Sequence, residues 1–143
     1  MGEIRVKVML TNATDLALHR MKKLAKKKIR TYEADALVDT GAVRSVIPPF
    51  IFEQLGLGLT GTRVAEYADG RTEEVGVSEG ILFQYLGRRT LEEALVLGDE
   101  MLLGQTFLES TDLVADCTNK RLMPNPAHPA HPAHPDQPVL KLK

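Results

Sequence analysis

The sequence predicts a mostly β domain, because apolar residues recur at every second position along several segments and because turn sequences separate these segments. Residues 4–10 and residues 32–39 show the alternation most clearly. A two-residue period places the apolar side chains on one face of an extended chain. We therefore predict a strand over each of these two segments.

Three hairpins are predicted to supply further strands. Residues 62–67 and 71–77 flank Ala68-Asp69-Gly70, and an Asp-Gly pair between such segments suits a type I′ turn, in which both central residues have positive φ. The second hairpin has strands over 81–86 and 90–97 around Gly87-Arg88-Arg89, and the third begins with residues 112–117 before Thr118-Asn119-Lys120.

Helical segments are predicted to be few and short. Residues 49–56 begin with a proline, which suits the first helical position, and end with a glycine, which can close a helix in left-handed geometry. A second short helix is expected over residues 105–110. A third is expected to run from an N-cap at Thr14 or Asp15 towards Lys28.

Composition and charge restrict the classes of function. The 18 basic and 19 acidic residues give a formal net charge of −1, so we expect neither a nucleic acid nor an anionic membrane as a partner. No apolar run approaches the roughly 20 residues that cross a bilayer, and the first residues lack the apolar block of a signal peptide. A single cysteine, Cys117, excludes an intrachain disulfide and agrees with a cytoplasmic location, and we expect its thiol to be buried or half-buried.

Proline divides the chain into a predicted domain over residues 1–123 and a tail over residues 124–143. Six of the eight prolines lie in residues 124–138, and this segment offers little apolar surface to bury, so we expect an extended and mobile tail. Its histidines, three residues apart, would lie about 9 Å from one another in polyproline II, which is too far to share a zinc ion. An alternative is that residues 139–142, which alternate like a short strand, pair at a dimer interface. The histidines are His128, His131 and His134.

One motif carries the chemistry of a catalytic site. Asp39 ends an apolar strand and is followed by Thr40, Gly41 and Ala42. The glycine allows a sharp turn and a close approach of its N–H to the carboxylate, and the threonine offers a hydroxyl for a local hydrogen bond. The tripeptide is also common in ordinary turns, but the apolar residues on both sides predict that this acid is carried into a buried setting.

These residues resemble the retropepsin-like aspartic proteases, in particular their small single-domain bacterial members. A second similar segment, apolar-apolar-Gly followed by a short helix, lies downstream in the order that the family shows. The matching segments are Leu37-Val38-Asp39-Thr40-Gly41-Ala42, Ser45-Val46-Ile47-Pro48, Leu55-Gly56-Leu57 and Leu102-Leu103-Gly104.

The resemblance implies an all-β closed barrel with one or two short helices, which forms a homodimer and hydrolyses peptide bonds in a peptide or protein substrate without a metal or organic cofactor. It implies that Asp39 of each chain forms a catalytic dyad, with Thr40, Gly41 and Ala42 supporting the loop. Leu102, Leu103 and Gly104 would close the barrel beneath the site. A substrate-covering flap would consist of Glu66, Tyr67, Ala68, Asp69, Gly70 and Arg71.

The flap sequence is more polar and less glycine-rich than a retroviral flap, and the segment over residues 15–30 has no counterpart in the compact retroviral form. The alternative function is a non-catalytic dimerisation or peptide-binding module on the same barrel. Residues 22–30 carry a lysine-rich cluster that we expect to be a solvated face, although such a cluster can also contact phosphates.

Overall fold

A computed structural model describes residues 2–142. The described chain forms a nine-stranded sheet, a separate two-stranded sheet, three short α-helices and one 3₁₀ turn. The strands are β1 (Arg5–Asn12), β2 (Thr31–Val38), β3 (Val46–Ile47), β4 (Leu59–Glu66), β5 (Thr72–Ser78), β6 (Ile81–Tyr85), β7 (Arg88–Glu92), β8 (Leu95–Val96), β9 (Met101–Leu103), β10 (Leu113–Asp116) and β11 (Arg121–Pro124). The helices are α1 (Ala13–Arg20), α2 (Pro49–Gln54) and α3 (Gln105–Thr111), and the 3₁₀ turn is Lys26–Lys28.

The large sheet has the strand order β4-β5-β8-β3-β9-β2-β1-β6-β7. The pairs β2–β9 and β3–β8 are parallel, and the other pairs are antiparallel. The short strand β9 therefore lies between β2 and β3, although both of those precede it by more than fifty residues in the chain. This placement brings two distant segments of the sequence, 37–47 and 101–105, to the centre of one sheet.

The sheet curls into a half-barrel, and its two end strands are β4 and β7. No ladder pairing joins β4 to β7 within residues 2–142. The mostly β class with few helices is confirmed, whereas closure of the barrel stays a prediction. The part of the chain that the structure describes has three α-helices, whereas the resemblance implied one or two.

The concave side of the sheet holds one apolar core. Val8 and Leu10 of β1, Phe83 of β6 and Phe107 of α3 are fully buried, and the two phenylalanine rings lie 5.9 Å apart. The alternating pattern of the sequence is thus expressed as predicted, with the even-numbered residues of β1 facing the core.

The predicted Asp-Gly hairpin is formed by β4 and β5, but its turn type was predicted wrongly. Gly70 has φ 89° and Asp69 has no positive φ, so the turn is not type I′. The amide of Gly70 donates to the carbonyl of Tyr67 at 2.9 Å, and the amide of Tyr67 donates to the carbonyl of Arg71 at 2.8 Å. These bonds close a three-residue loop with a glycine in left-handed geometry. The carboxylate of Asp69 accepts from the amide of Arg71 at 3.0 Å, and this hydrogen bond stabilises the loop.

A two-residue turn with both φ values positive occurs instead between β6 and β7, at Leu86 (φ 51°) and Gly87 (φ 73°). The strand predicted over residues 90–97 is divided in the structure. Its first part belongs to β7, and its last part leaves as β8 to pair with β3 and β5. The hairpin after residue 112 is confirmed as β10 and β11.

Helix α1 begins and ends earlier than predicted. Its N-cap is Asn12, whose side chain accepts from the amide of Asp15 at 3.0 Å, and not Thr14 or Asp15. The helix ends at Arg20, because the chain turns through Lys22 with φ 62°. The expected α2 and α3 are both confirmed, and Gly56 after α2 has φ 62°.

The tail contacts the domain in this structure. The buried guanidinium of Arg88 donates to the carbonyl of Asp136 at 2.9 Å, and Gln137 Nε2 donates to the carbonyl of Gly87 at 2.6 Å.

The prediction that the thiol of Cys117 is buried or half-buried was wrong. Its side chain is exposed, because it lies in the turn that follows β10. The division into a domain and a tail stays a prediction, and its terminal residues, 1 and 143, lie outside the described residues.

Candidate active site

Asp39 lies directly after β2, at the point where this strand leaves the centre of the sheet. Its amide donates to the carbonyl of Leu103 on the neighbouring strand β9 at 2.9 Å, which continues the β2–β9 ladder by one hydrogen bond. The backbone of Asp39 is therefore fixed by the sheet, and its partly buried side chain lies where the regular strand ends.

The loop over residues 39–45 passes the end of β9 and re-enters the sheet as β3 on the other side of that strand. Gly41 donates its amide to Asp39 Oδ1 at 3.0 Å, and Ala42 donates its amide to the Asp39 carbonyl at 3.1 Å. A Cβ on Gly41 would lie 3.3 Å from Oδ1, so a larger residue would crowd the carboxylate. Within residues 2–142 the other oxygen, Oδ2, accepts no hydrogen bond and is available to a reacting group.

The beginning of α3 supports this loop from below. The amides of Gln105 and Thr106 donate to the carbonyls of Ala42 and Val43 at 2.8 and 3.0 Å, and Gln105 Nε2 donates to the carbonyl of Thr40 at 2.8 Å. The first amides of a helix lack partners inside the helix, so the loop carbonyls complete them. Helix α3 thus holds the whole Asp-Thr-Gly loop in one conformation.

Gly104 allows the close approach of loop and helix. A Cβ at this position would lie 2.6 Å from the carbonyl carbon and oxygen of Arg44 and 2.9 Å from the carbonyl oxygen of Ala42. The amide of Gly104 donates to the hydroxyl of Ser45, a fully buried side chain, at 3.1 Å. The apolar-apolar-Gly segment therefore lies beside the Asp39 loop, with Leu103 fully buried.

Two residues that support the site were missed as such by the sequence reasoning. Ser45 appeared there only as part of a matching segment, and Gln105 only as the start of a helix. A small hydroxyl residue in an otherwise apolar segment was a usable signal for Ser45, because a buried hydroxyl requires a partner. Nothing local identified Gln105, because its partner, the carbonyl of Thr40, lies 65 positions away.

The tip of the β4–β5 hairpin, predicted as a flap, carries a cluster of polar contacts. The Tyr67 hydroxyl donates to the Glu73 carboxylate, and this hydrogen bond raises the pKa of Tyr67 because it is made only by the protonated hydroxyl. The Arg71 guanidinium lies 4.8 Å from the centre of the Tyr67 ring. Hydrogen bonds from the backbone and side chain of Arg71 lower the pKa of Asp69.

The hairpin is far more exposed than the Asp39 loop. Seven of the eight residues of β4 are exposed, including Glu66, and so are Ala68, Asp69, Gly70 and Arg71 at the tip. Across the described residues, no hydrogen bond or ion pair joins this hairpin to residues 39–45. Within a single chain the Asp39 loop and the hairpin are therefore separate structures. The side chain of Thr40 is exposed to solvent, and its hydroxyl makes no hydrogen bond within residues 2–142.

Metal ligands, membrane-spanning helices and the tail histidines are the remaining features of the described residues that bear on function. In the span from Gly2 to Leu142, no three His, Cys, Asp or Glu side chains come close enough to hold a metal ion. No helix in that span is long and apolar enough to cross a membrane. His128 of the tail contacts Asp112, with Nδ1 2.9 Å from Oδ2, whereas the rings of His131 and His134 lie 6.5 Å apart.

Comparison with known proteins identifies the fold. No family model matches the sequence, and no curated protein matches it. The structure is similar to that of EIAV protease complexed with the inhibitor HBY-793, with a TM-score of 0.54, 19% identity, and coverage of 76% of this chain and 86% of that chain. It is also similar to the retroviral protease-like domain of Ddi1 from Leishmania major, with a TM-score of 0.56, 17% identity, and coverage of 88% of this chain and 90% of that chain. Likeness at this level of identity concerns the backbone, and from it we conclude that the chain has a retropepsin-like fold.

Proposed function

We propose that the protein is an aspartic endopeptidase that hydrolyses peptide bonds as a homodimer. The observation that carries the proposal is the position of Asp39: its carboxylate follows a central strand, accepts from the Gly41 amide through one oxygen and leaves the other without a partner in the described chain, on a retropepsin-like fold. A carboxylate held in this way can accept a proton from a water molecule that attacks a carbonyl carbon.

One carboxylate is insufficient for the reaction. Peptide hydrolysis needs a base that activates water and an acid that protonates the leaving amine, and the sequence contains one Asp-Thr-Gly. A symmetric dimer would bring two Asp39 side chains together at its axis. Two carboxylates in contact at the axis would not both be ionised, because their negative charges repel. One shared proton would then make one of them the base and the other the acid.

The exposed parts of the site suit this assembly. Thr40, which is exposed in the single chain, would contact the loop of the second chain. Gly41 would support the carboxylate through its amide, and Ala42 would support the loop through its amide on the Asp39 carbonyl. The exposed β4–β5 hairpin would cover a peptide bound in extended form and would hydrogen-bond its backbone. Such a peptide or protein substrate in the cytoplasm needs no metal or organic cofactor to be cleaved by this chemistry.

The test is digestion of a peptide library at several pH values by the full chain and by Asp39→Asn. The amide keeps the size of the side chain but cannot share the proton, so cleavage should fall to background while the far-UV circular dichroism spectrum is unchanged. Asp35→Asn is the matched control, because Asp35 lies on β2, the strand that Asp39 follows, and its pair with Lys7 is exposed. Specific activity should also rise with protein concentration until dimerisation saturates.

Two outcomes would contradict the proposal. Cleavage that persists in pure Asp39→Asn would remove this residue from the mechanism, and an active monomer in the ultracentrifuge would reject the shared site. A full chain that binds extended peptides but cleaves none at any pH would instead favour the non-catalytic peptide-binding module.

A further inference from the structure

A dense positive patch lies on the end of α1 and on the segment that joins α1 to β2. Seven of the 18 basic residues fall within residues 20–30, and no acid occurs from residue 16 to residue 32. The rest of the chain then has 11 basic and 19 acidic residues, a formal charge of −8. The near-neutral total therefore conceals a strongly polarised molecule. We call residues 20–28 the basic loop; its charged members are Arg20, Lys22, Lys23, Lys26, Lys27 and Lys28.

The basic loop has a defined conformation. At its base Arg30 donates two side-chain hydrogen bonds to the buried carboxylate of Asp15, each 2.9 Å long, and its amide donates a third at 3.0 Å. Within the loop, His19 Nδ1 lies 2.9 Å from the carbonyl of Leu24, and residues 26–28 form the 3₁₀ turn. The cationic side chains are thus presented by an ordered segment that is anchored at both ends.

No carboxylate among residues 2–142 neutralises any of the six cations in the loop. All six side chains are exposed, and within residues 2–142 none of them makes an ion pair or a side-chain hydrogen bond to a carboxylate. The guanidinium of Arg30, by contrast, forms an ion pair with Asp15. An apolar side chain, Met21, lies among these cations with 52% of its surface exposed.

We propose that the basic loop binds the surface of an anionic lipid bilayer. From the net charge and the composition alone we expected a solvated face and no anionic membrane as a partner, but binding of a bilayer depends on the local charge. The ordered conformation, the lack of counter-ions within residues 2–142 and the exposed methionine argue for a partner. Lysines attract the phosphate and carboxylate groups of acidic lipids, and Met21 enters the boundary between headgroups and acyl chains. Each lysine near such a surface contributes roughly a fivefold gain in partitioning at moderate salt.

A nucleic acid would satisfy the same charges but fits the loop less well. Within residues 20–28 there is no aromatic side chain for base stacking, and the one arginine offers little bidentate recognition. A phosphate backbone would also leave Met21 in water, whereas a bilayer buries it. The exposed methionine therefore favours the lipid surface and provides the means to distinguish the two partners.

The test is co-sedimentation of the full-length chain with vesicles of phosphatidylcholine alone and of phosphatidylcholine with phosphatidylserine. Binding should occur only to the anionic vesicles and should weaken as salt is raised. The triple variant Lys26→Gln, Lys27→Gln, Lys28→Gln should bind about 100-fold more weakly. The matched control, Lys7→Gln, Lys120→Gln, Lys141→Gln, removes the same charge elsewhere and should lose much less.

The variant Met21→Ser separates the partners. It should weaken binding to anionic vesicles several-fold and leave binding to a duplex RNA of mixed sequence unchanged. Equal binding to neutral and anionic vesicles, equal losses in the two triple variants, or tighter binding to the RNA with no effect of Met21→Ser on vesicles would each overturn the proposal. Asp39→Asn should bind vesicles like the unmodified chain, so this inference stands or falls separately from the proposed peptidase activity.

Discussion

Replacement of Gly104 by alanine tests whether the close contact between α3 and the Asp39 loop is required. Gly104 has φ −96°, a conformation that alanine adopts without strain, so any effect must come from the added methyl group. That methyl would lie 2.6 Å from the carbonyl carbon and oxygen of Arg44 and 2.9 Å from the carbonyl oxygen of Ala42. All three atoms belong to the backbone and cannot rotate away, as a side chain would.

The expected loss of stability follows from this geometry. To relieve the overlap, loop and helix must separate, which strains the hydrogen bonds from Gln105 to Ala42 and from Gly104 to Ser45. Overpacking at a site that cannot yield costs about 2 to 3 kcal/mol of the free energy of unfolding. The proposed peptidase activity should fall as well, because the same loop carries Asp39.

The assay is urea denaturation followed by circular dichroism at one fixed protein concentration. Gly61→Ala is the matched control, since a Cβ there would have no atom within 4 Å and the glycine has no positive φ. The control should change the free energy of unfolding by less than about 0.5 kcal/mol. If Gly104→Ala is as mild as the control, the contact does not constrain the loop and the argument from it fails.

Three further predictions concern the framework around the site. Asp15→Asn should lower the free energy of unfolding by about 2 kcal/mol at pH 7. The hydrogen bond with Arg30 holds the pKa of Asp15 below its ordinary value, so the stabilisation by the Asp15 carboxylate is present above the unfolded pKa and is lost at lower pH. The difference in urea midpoint between the variant and the unmodified chain should therefore narrow as the pH falls below about 4. Leu86→Asn should raise stability by roughly 0.5 kcal/mol in thermal denaturation, since asparagine tolerates the positive φ of this turn better than leucine, and a lower melting temperature would contradict the turn assignment. Arg88→Met should cost about 2 to 3 kcal/mol and make the tail more sensitive to limited proteolysis, because the buried guanidinium donates to three backbone carbonyls, whereas the exposed Arg89→Met should leave both properties unchanged.

The sequence by itself determined the local structure wherever a pattern of neighbouring residues decides it. Alternation predicted β1 and β2, since one face of each strand has to be apolar to be buried. Proline at 49 and glycine at 56 predicted the bounds of α2. The Asp-Thr-Gly motif predicted an acid after a strand with a glycine amide near its carboxylate, and that contact is present.

Local patterns predicted less well where several conformations have similar energies. The Asp-Gly pair suits more than one type of turn. The three-residue loop is the one that forms, and in it the carboxylate of Asp69 accepts a hydrogen bond from the amide of Arg71. The N-cap of α1 was placed wrongly because Asn12, Thr14 and Asp15 are all good caps, and Asp15 is engaged by Arg30 from fifteen positions away.

Only the tertiary structure decided what surrounds the carboxylate. The insertion of β9 between β2 and β3 brings Leu103, Gly104 and Gln105 against a loop some sixty residues earlier in the chain. The reason is physical: β9 has three residues and α3 seven, too few to express a period that specifies a partner, so their position is set by the ladder and by burial in the common core. The same holds for the basic loop, whose composition is plain in the sequence but whose ordered form depends on the contact between Arg30 and Asp15.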